Sequence, residues 1–129
     1  MKRDLTIIIT IIILIIIAHA ITQVYTQNFF DSLSDDLKEL ENRIMEENIS
    51  KEEAKQTIEN IEGKWRNKYD IFAYFTEHDE LEKVQTQLVS IKANIEMEQY
   101  NRAVDEIEKC RFILRHIENK DSLRLVNIF

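Results

Sequence analysis

The chain has 129 residues, with no Pro, one Gly and one Cys, and a formal net charge of −7. So few turn formers beside so much Ile, Leu, Glu and Lys exclude a β-rich or disulfide-stapled fold and point to a few long helices. The acidic balance excludes nucleic acid as a partner and wide adhesion to anionic lipid.

The first element is LTIIITIIILIIIAHAITQV, Leu5 to Val24, which carries no formal charge. About 20 such residues match the hydrocarbon thickness of a bilayer crossed by a helix. Ile and Thr form helix reluctantly in water, but lipid offers the backbone no other hydrogen-bond partner. Lys2 and Arg3 precede the run, and the next basic residue is Lys38. The positive flank should stay in the cytoplasm, so everything after Val24 is expected outside. The expected domains are therefore 1–24, a cytoplasmic stub with a signal-anchor helix, and 25–129, an extracytoplasmic helical bundle. Ala18-His19-Ala20 also has the small-x-small form of a signal-peptidase site, so secretion after cleavage following Ala20 is the alternative. Apolar character resumes at Ile21 and Val24, which favours the uncleaved anchor. Without Lys2, Arg3 and Asp4 the exported part carries 15 basic and 23 acidic residues. Its size suits one domain with a modest core.

Leu33, Leu37, Leu40 and Ile44 repeat at four-three-four spacing and mark a bundle helix that nothing prevents from continuing out of the span. Asn48-Ile49-Ser50 breaks it, and Ser50-Lys51-Glu52-Glu53 has the form of a capping box. The next helix carries Ala54, Ile58, Ile61, Trp65, Tyr69 and Phe72 on one stripe. Gly63 inside it signals a bend, a close neighbour or simple tolerance. A third helix carries Leu81, Val84, Leu88, Ile91 and Ile95. A turn is expected near Met97, where the apolar phase changes although no Gly or Pro marks it. The fourth helix carries Ala103, Ile107, Cys110, Leu114 and Ile117 and is expected to end near Asn119. DSLRLVNIF then forms a short helix or an extended segment, with Leu123, Leu125, Val126, Ile128 and Phe129 to bury. Cys110 reads as a small buried apolar residue, with an intermolecular bridge as the alternative. Short stripes joined by short breaks give an all-α fold: an N-terminal transmembrane helix followed by a small antiparallel helical bundle of three to four helices.

The stretch FAYFTEHDELEKV, Phe72 to Val84, places a histidine among carboxylates behind a cluster of aromatics. Thr76 is the expected N-cap of the third helix. Glu77, Asp79 and Glu80 then occupy its first turn, where unpaired amides and the helix dipole favour negative charge. His78 is left as a capping and packing residue, a partner contact, or a metal or catalytic group. Metal sites in helical bundles pair a Glu with a His three residues on; here Phe75 and Ile113 occupy those positions before His78 and His116. There is no His-Glu-x-x-His, Cys pair or Gly-rich phosphate loop. No catalytic residue, metal ligand or cofactor is assigned, and an enzyme is not expected.

Trp65, the same FAYFTEHDELEKV stretch, Asn101-Arg102-Ala103 and the terminal Leu125-Val126-Asn127-Ile128-Phe129 resemble the family of domain of unknown function 4363. Its members are short proteins of Gram-positive bacteria with an N-terminal membrane span. The resemblance covers most of the chain, with the Trp, His-Asp-Glu and Asn-Ile-Phe positions its most specific elements. It implies a membrane-anchored helical domain without an established activity, and it suggests a multi-pass membrane protein as partner.

Alternating helix directions return Tyr69 to Phe75, and then Leu123 to Phe129, to the membrane surface. The candidate interaction surface is Trp65, Tyr69, Tyr74, Phe75, His78, Asp79, Glu80, Asn127, Ile128 and Phe129. Lys64, Arg66 and Lys68 add a basic patch within reach of lipid phosphates. An equal alternative is that these aromatics only close the bottom of the core. The expected role is a non-enzymatic accessory or interaction subunit docking at the outer membrane surface. Its partners would be the lipid bilayer and a multi-pass membrane protein, with homo-oligomerisation open. A ligand-sensing extracytoplasmic bundle is the alternative, followed by a metal-binding domain using His78 with Asp79 and His116.

Overall fold

The computed structural model describes the backbone of residues 1–128 and the side chains of residues 1–120. It contains α1 (Lys2–Met45), α2 (Lys51–Phe72), α3 (His78–Glu96) and α4 (Tyr100–Ile128), with no strand among the described residues. Each helix packs on its neighbours in the chain, and α4 closes the ring against α1. This is an up-down-up-down four-helix bundle.

Helix α1 is continuous from the apolar run into the bundle. Its first half is long and apolar enough to cross a membrane, and none of the apolar window is buried by the rest of the chain. The hydroxyls of Thr6, Thr10 and Thr22 donate to the carbonyls of Lys2, Thr6 and Ala18 at 2.8 to 2.9 Å. Each is therefore satisfied within the helix and needs no water. Burial begins at Thr26 and Phe30 and continues through Leu33, Leu37, Leu40 and Ile44. The opposing stripes are those expected. Ala54, Ile58, Ile61 and Trp65 come from α2, Leu81, Val84, Leu88, Ile91 and Ile95 from α3, and Ala103, Ile107, Cys110, Leu114 and Ile117 from α4. Cys110 is wholly buried, which pushes its thiol up to about 12 and makes it a core residue.

Three local devices set the turns. Ser50 caps α2, its Oγ accepting from the Glu53 amide at 3.1 Å. The Glu53 carboxylate binds Arg43 of α1 at 2.9 Å, so it ties two helices together across the turn. After α1, Glu47 adopts a left-handed φ of 55°, and the Glu47 and Asn48 amides bond back to Ile44 and Arg43. After α3, Glu98 at φ 58° does the same, with the Glu98 and Gln99 amides returning to Ile95 and Asn94. Both are Schellman closures, built on glutamate where glycine is usual. The turn expected near Met97 is therefore real, and its missing glycine is explained: the chain tolerates a strained residue there.

Gly63 has nothing within 4 Å of the position a Cβ would occupy. Tolerance is thus the right reading, and no helix approaches closely. Helix α4 runs on to Ile128 rather than ending near Asn119. The charge and β-branch content after Asn119 does not break a helix that already has a packed face to extend. The side chains of Leu123, Leu125, Val126, Ile128 and Phe129, expected to bury, lie outside the described residues.

The α1–α4 seam is polar. Arg111 Nε donates to Ser34 Oγ at 3.1 Å and to the Ser34 carbonyl at 3.2 Å. Lys38 Nζ lies 3.1 Å from Glu41 and 3.6 Å from Glu108. Burial, then the hydrogen bond with Glu108, raises the Glu41 carboxyl, while accepting that bond lowers Glu108. Nearer the apolar run, burial followed by the hydrogen bond with Asp31 pushes Glu118 up from 4.5 to about 8.

Gly63→Ala and Glu98→Gly should each raise unfolding free energy by about 1 kcal/mol, the first by helix propensity and the second by relief of φ strain, measurable by denaturant titration. Glu118 gives a pH dependence whose sign follows from its raised value. The folded chain holds a proton that the unfolded chain has released, so stability is full below about pH 4.5 and falls as pH rises through about 8. Thermal melts of wild type and Glu118→Gln should diverge with rising pH, the variant melting higher at the alkaline end.

Candidate interaction surface at the base of the bundle

The base of the bundle is the end from which the apolar run of α1 emerges. There Phe30 stacks on Trp65 with ring centroids 6.1 Å apart and on Phe72 at 5.1 Å, and Phe29 reaches Phe72 at 5.0 Å. Phe30, Trp65 and Phe72 are fully buried. Pairs at this separation add about 0.5–1.5 kcal/mol each beyond their area. The indole Nε1 of Trp65 is buried without a hydrogen-bond partner, so packing alone holds the ring. Trp65, expected on the interaction surface, is therefore a core residue. Its spacing with Ile58 and Ile61 already placed it on the apolar stripe.

The chain leaves α2 in one further turn. The amides of Ala73, Tyr74, Phe75 and Thr76 bond back to Tyr69, Ile71, Phe72 and Phe72. This rotation carries Thr76 inward, where it is buried, and leaves Tyr74 87% and Phe75 39% exposed. Ile71 beside them is 40% exposed. The two readings of the aromatics thus divide by residue. Trp65 and Phe72 close the core, while Tyr74 and Phe75 face outward.

Helix α3 does not begin with a threonine cap. Glu77 is the N-cap, in extended conformation and with no side-chain cap bond, and its backbone carbonyl accepts from the Glu80 and Leu81 amides. The Glu77 carboxylate instead meets Lys120 of α4 at 3.1 Å. Glu80 is buried rather than displayed, held by Lys83 at 3.3 Å and Lys120 at 4.0 Å. Asp79 is exposed.

His78 joins two helices. Its Nε2 lies 2.9 Å from Glu82 Oε1, one turn along α3, and its Nδ1 lies 3.1 Å from the Tyr69 hydroxyl of α2. A carboxylate can only accept, so Nε2 carries the proton; in the neutral ring Nδ1 then accepts from the tyrosine. Burial, then the charges of Glu82 and Asp70, raise Tyr69, which keeps it a phenol and a donor. The rings meet edge to face at 6.1 Å. The group fastens the start of α3 to the end of α2. Both imidazole nitrogens are engaged, and among the described residues no three His, Cys, Asp or Glu side chains are grouped to hold a metal ion. His116 is far from this group in role, stacking on the exposed Phe112 at 6.5 Å.

The expected basic patch is dispersed. Lys64 binds Asp36 of α1 at 2.7 Å and Arg66 approaches Glu62 at 4.0 Å. Lys68 alone turns to the base, its ammonium 5.4 Å from the centre of the Tyr25 ring, a cation–π contact. Tyr25 and Lys120 were not legible as part of this surface, whereas Ile71 lies within the Tyr69 to Phe75 segment expected there. Tyr25 and Lys120 come from α1 and α4, and only packing brings them to this end. The side chains of Asn127, Ile128 and Phe129 lie outside the described residues.

Trp65→Ala and Phe72→Ala should each cost about 3–5 kcal/mol of stability, whereas Tyr74→Ala should stay within about 0.5 kcal/mol. Denaturant unfolding of the full chain in detergent, followed by circular dichroism, checks both.

The family described as Domain of unknown function (DUF4363) matches residues 20–128, nearly the whole chain. No curated protein and no solved structure matches it.

Proposed function

We propose that this chain, which belongs to the family Domain of unknown function (DUF4363), is a membrane-anchored, non-enzymatic accessory subunit. In this reading the apolar half of α1 spans the bilayer with Lys2 and Arg3 on the cytoplasmic side. The bundle stands on the outer surface and docks with a membrane-embedded protein. The observation that carries the reading is the unbroken passage of α1 from a fully exposed apolar run into a packed core. An apolar surface of that length, left uncovered by the chain itself, is stable only in lipid or against another apolar body.

A signal sequence cut after Ala20 would also be apolar and would leave Phe30 and Leu33 in the core, so the N-terminus of the recovered chain separates the two readings. The polar α1–α4 seam and the engaged His78 support a structural module over a catalytic one. Their titratable groups have partners, His78 with Tyr69 and Glu82 and Arg111 with Ser34 and Glu108.

Chemical cross-linking and co-purification of the full-length chain from native membranes tests this, with the N-terminus of the recovered chain sequenced. A stoichiometric membrane protein partner with Met1 retained is the expected result. A soluble chain beginning at Ile21 and recovered alone would overturn it.

A further inference from the structure

Helix α1 has no linker between its apolar run and the bundle. Val24, the last residue of the run, is 56% exposed, and Thr26, two positions on in the same helix, is 6% exposed. If the run spans a bilayer, the base of the bundle cannot rise clear of the surface. The height of the α2–α3 turn follows from the contacts. The Phe29–Phe72 ring pair sets the end of α2 level with residue 29 of α1. Tyr74 and Phe75 lie beyond Phe72, on the side of Val24. From Phe29 down to Val24 is about 7.5 Å at 1.5 Å per residue. From Phe72 to Phe75 the chain descends about 4.5 Å at the same rise, so the backbone of the turn stops about 3 Å short of Val24, a gap that an aromatic side chain spans.

We propose that the α2–α3 turn is a second contact with the lipid bilayer, in which Ile71, Tyr74 and Phe75 enter the interfacial layer of the leaflet from which α1 emerges. The proposal rests on the anchored reading above and assigns this surface to lipid rather than to the protein partner. Its chemistry fits that occupant. Tyr25 and Tyr74 each carry an apolar ring and a polar tip, the combination favoured at the headgroup level. Lys68, half-buried with its ammonium beside the Tyr25 ring, stands where a snorkelling cation meets lipid phosphate. The carboxylates nearby do not forbid approach, because Lys120 engages Glu77 and Lys83 engages Glu80. Exposed Asp79 limits the depth, so the turn rests in the interface and does not insert into hydrocarbon.

Two contacts on one rigid body fix what a single span leaves free. The turn lies to one side of α1, so seating it in the interface sets both the tilt of the span and its rotation about its own axis. The outer faces of the bundle then point in one lateral direction, toward whatever stands beside it.

The test uses the full-length chain in phosphatidylcholine vesicles. A polarity-sensitive fluorophore is attached at Tyr74→Cys or, at the opposite end of the bundle, at Met97→Cys. Buried Cys110, its thiol raised by burial, does not compete for label. The fluorophore at residue 74 should emit blue-shifted in the vesicles and be quenched by headgroup spin-labelled lipid, that at residue 97 should show neither effect, and both effects should persist in high salt because the contact is apolar. Water-like emission at both positions, in chain that resists alkaline extraction, would overturn the lipid contact and leave the anchor standing. Quenching at 74 that vanishes in high salt would overturn the apolar insertion. Chain that is released by alkaline extraction would overturn the anchored reading and this proposal with it.

Discussion

The contact on which the rest of the molecule depends is the aromatic cluster of Phe29, Phe30, Trp65 and Phe72 at the base. It fastens α2 to α1 within a few residues of the apolar run and leaves no flexible neck between them. A hinge there would have made the apolar helix and the bundle independent bodies. Because the cluster is fully packed, the position of every other element follows from where α1 stands. The last turn of α2, the Tyr74–Phe75 turn and the start of α3 are all held at that end.

Two kinds of polar fastening complete the ring, and they differ in cost. At the start of α3, His78 bridges Tyr69 and Glu82 on an exposed edge where water supports the charges. Exposed bonds of this kind contribute little energy but set direction. Between α1 and α4, by contrast, Glu41 and Glu118 are carboxyls raised by burial and by a carboxylate partner. Burial and a neighbouring carboxylate disfavour the charged form there, so the contribution of Glu118 to stability falls as pH rises through about 8. On the α2–α3 side Lys92–Glu59 and Lys55–Glu96 are ordinary opposite charges.

Local strain is confined to the far end. Glu47 and Glu98 take left-handed turns that glycine would make more cheaply. Both close Schellman motifs at the end remote from the apolar run, with their amides bonded back to the last turn of the preceding helix. The α2–α3 connection at the base has the same length as α1–α2 and carries the exposed Tyr74 and Phe75.

Much of the fold was legible in the sequence because burial in a helical bundle obeys a simple period. The stripes through Leu33, Ile58, Leu88 and Ile107 gave four helices, the apolar run gave its own length, and Ser50 gave a cap through one local hydrogen bond. Where the outcome depended on one helix meeting another, the sequence was silent or misleading. Thr76 looked like a cap until an extra turn after α2 rotated it inward. Trp65 and Glu80 looked like surface until neighbouring helices covered them. Lys64 and Arg66 looked like a patch until Asp36 and Glu62 claimed them. Periodicity and capping are local and therefore determined by the order of residues; which side chains remain exposed at the base is a property of packing, decided only when α1 brings Tyr25 to Lys68 of α2 and the turn after α2 buries Phe72 and Thr76 while leaving Ile71, Tyr74 and Phe75 outside.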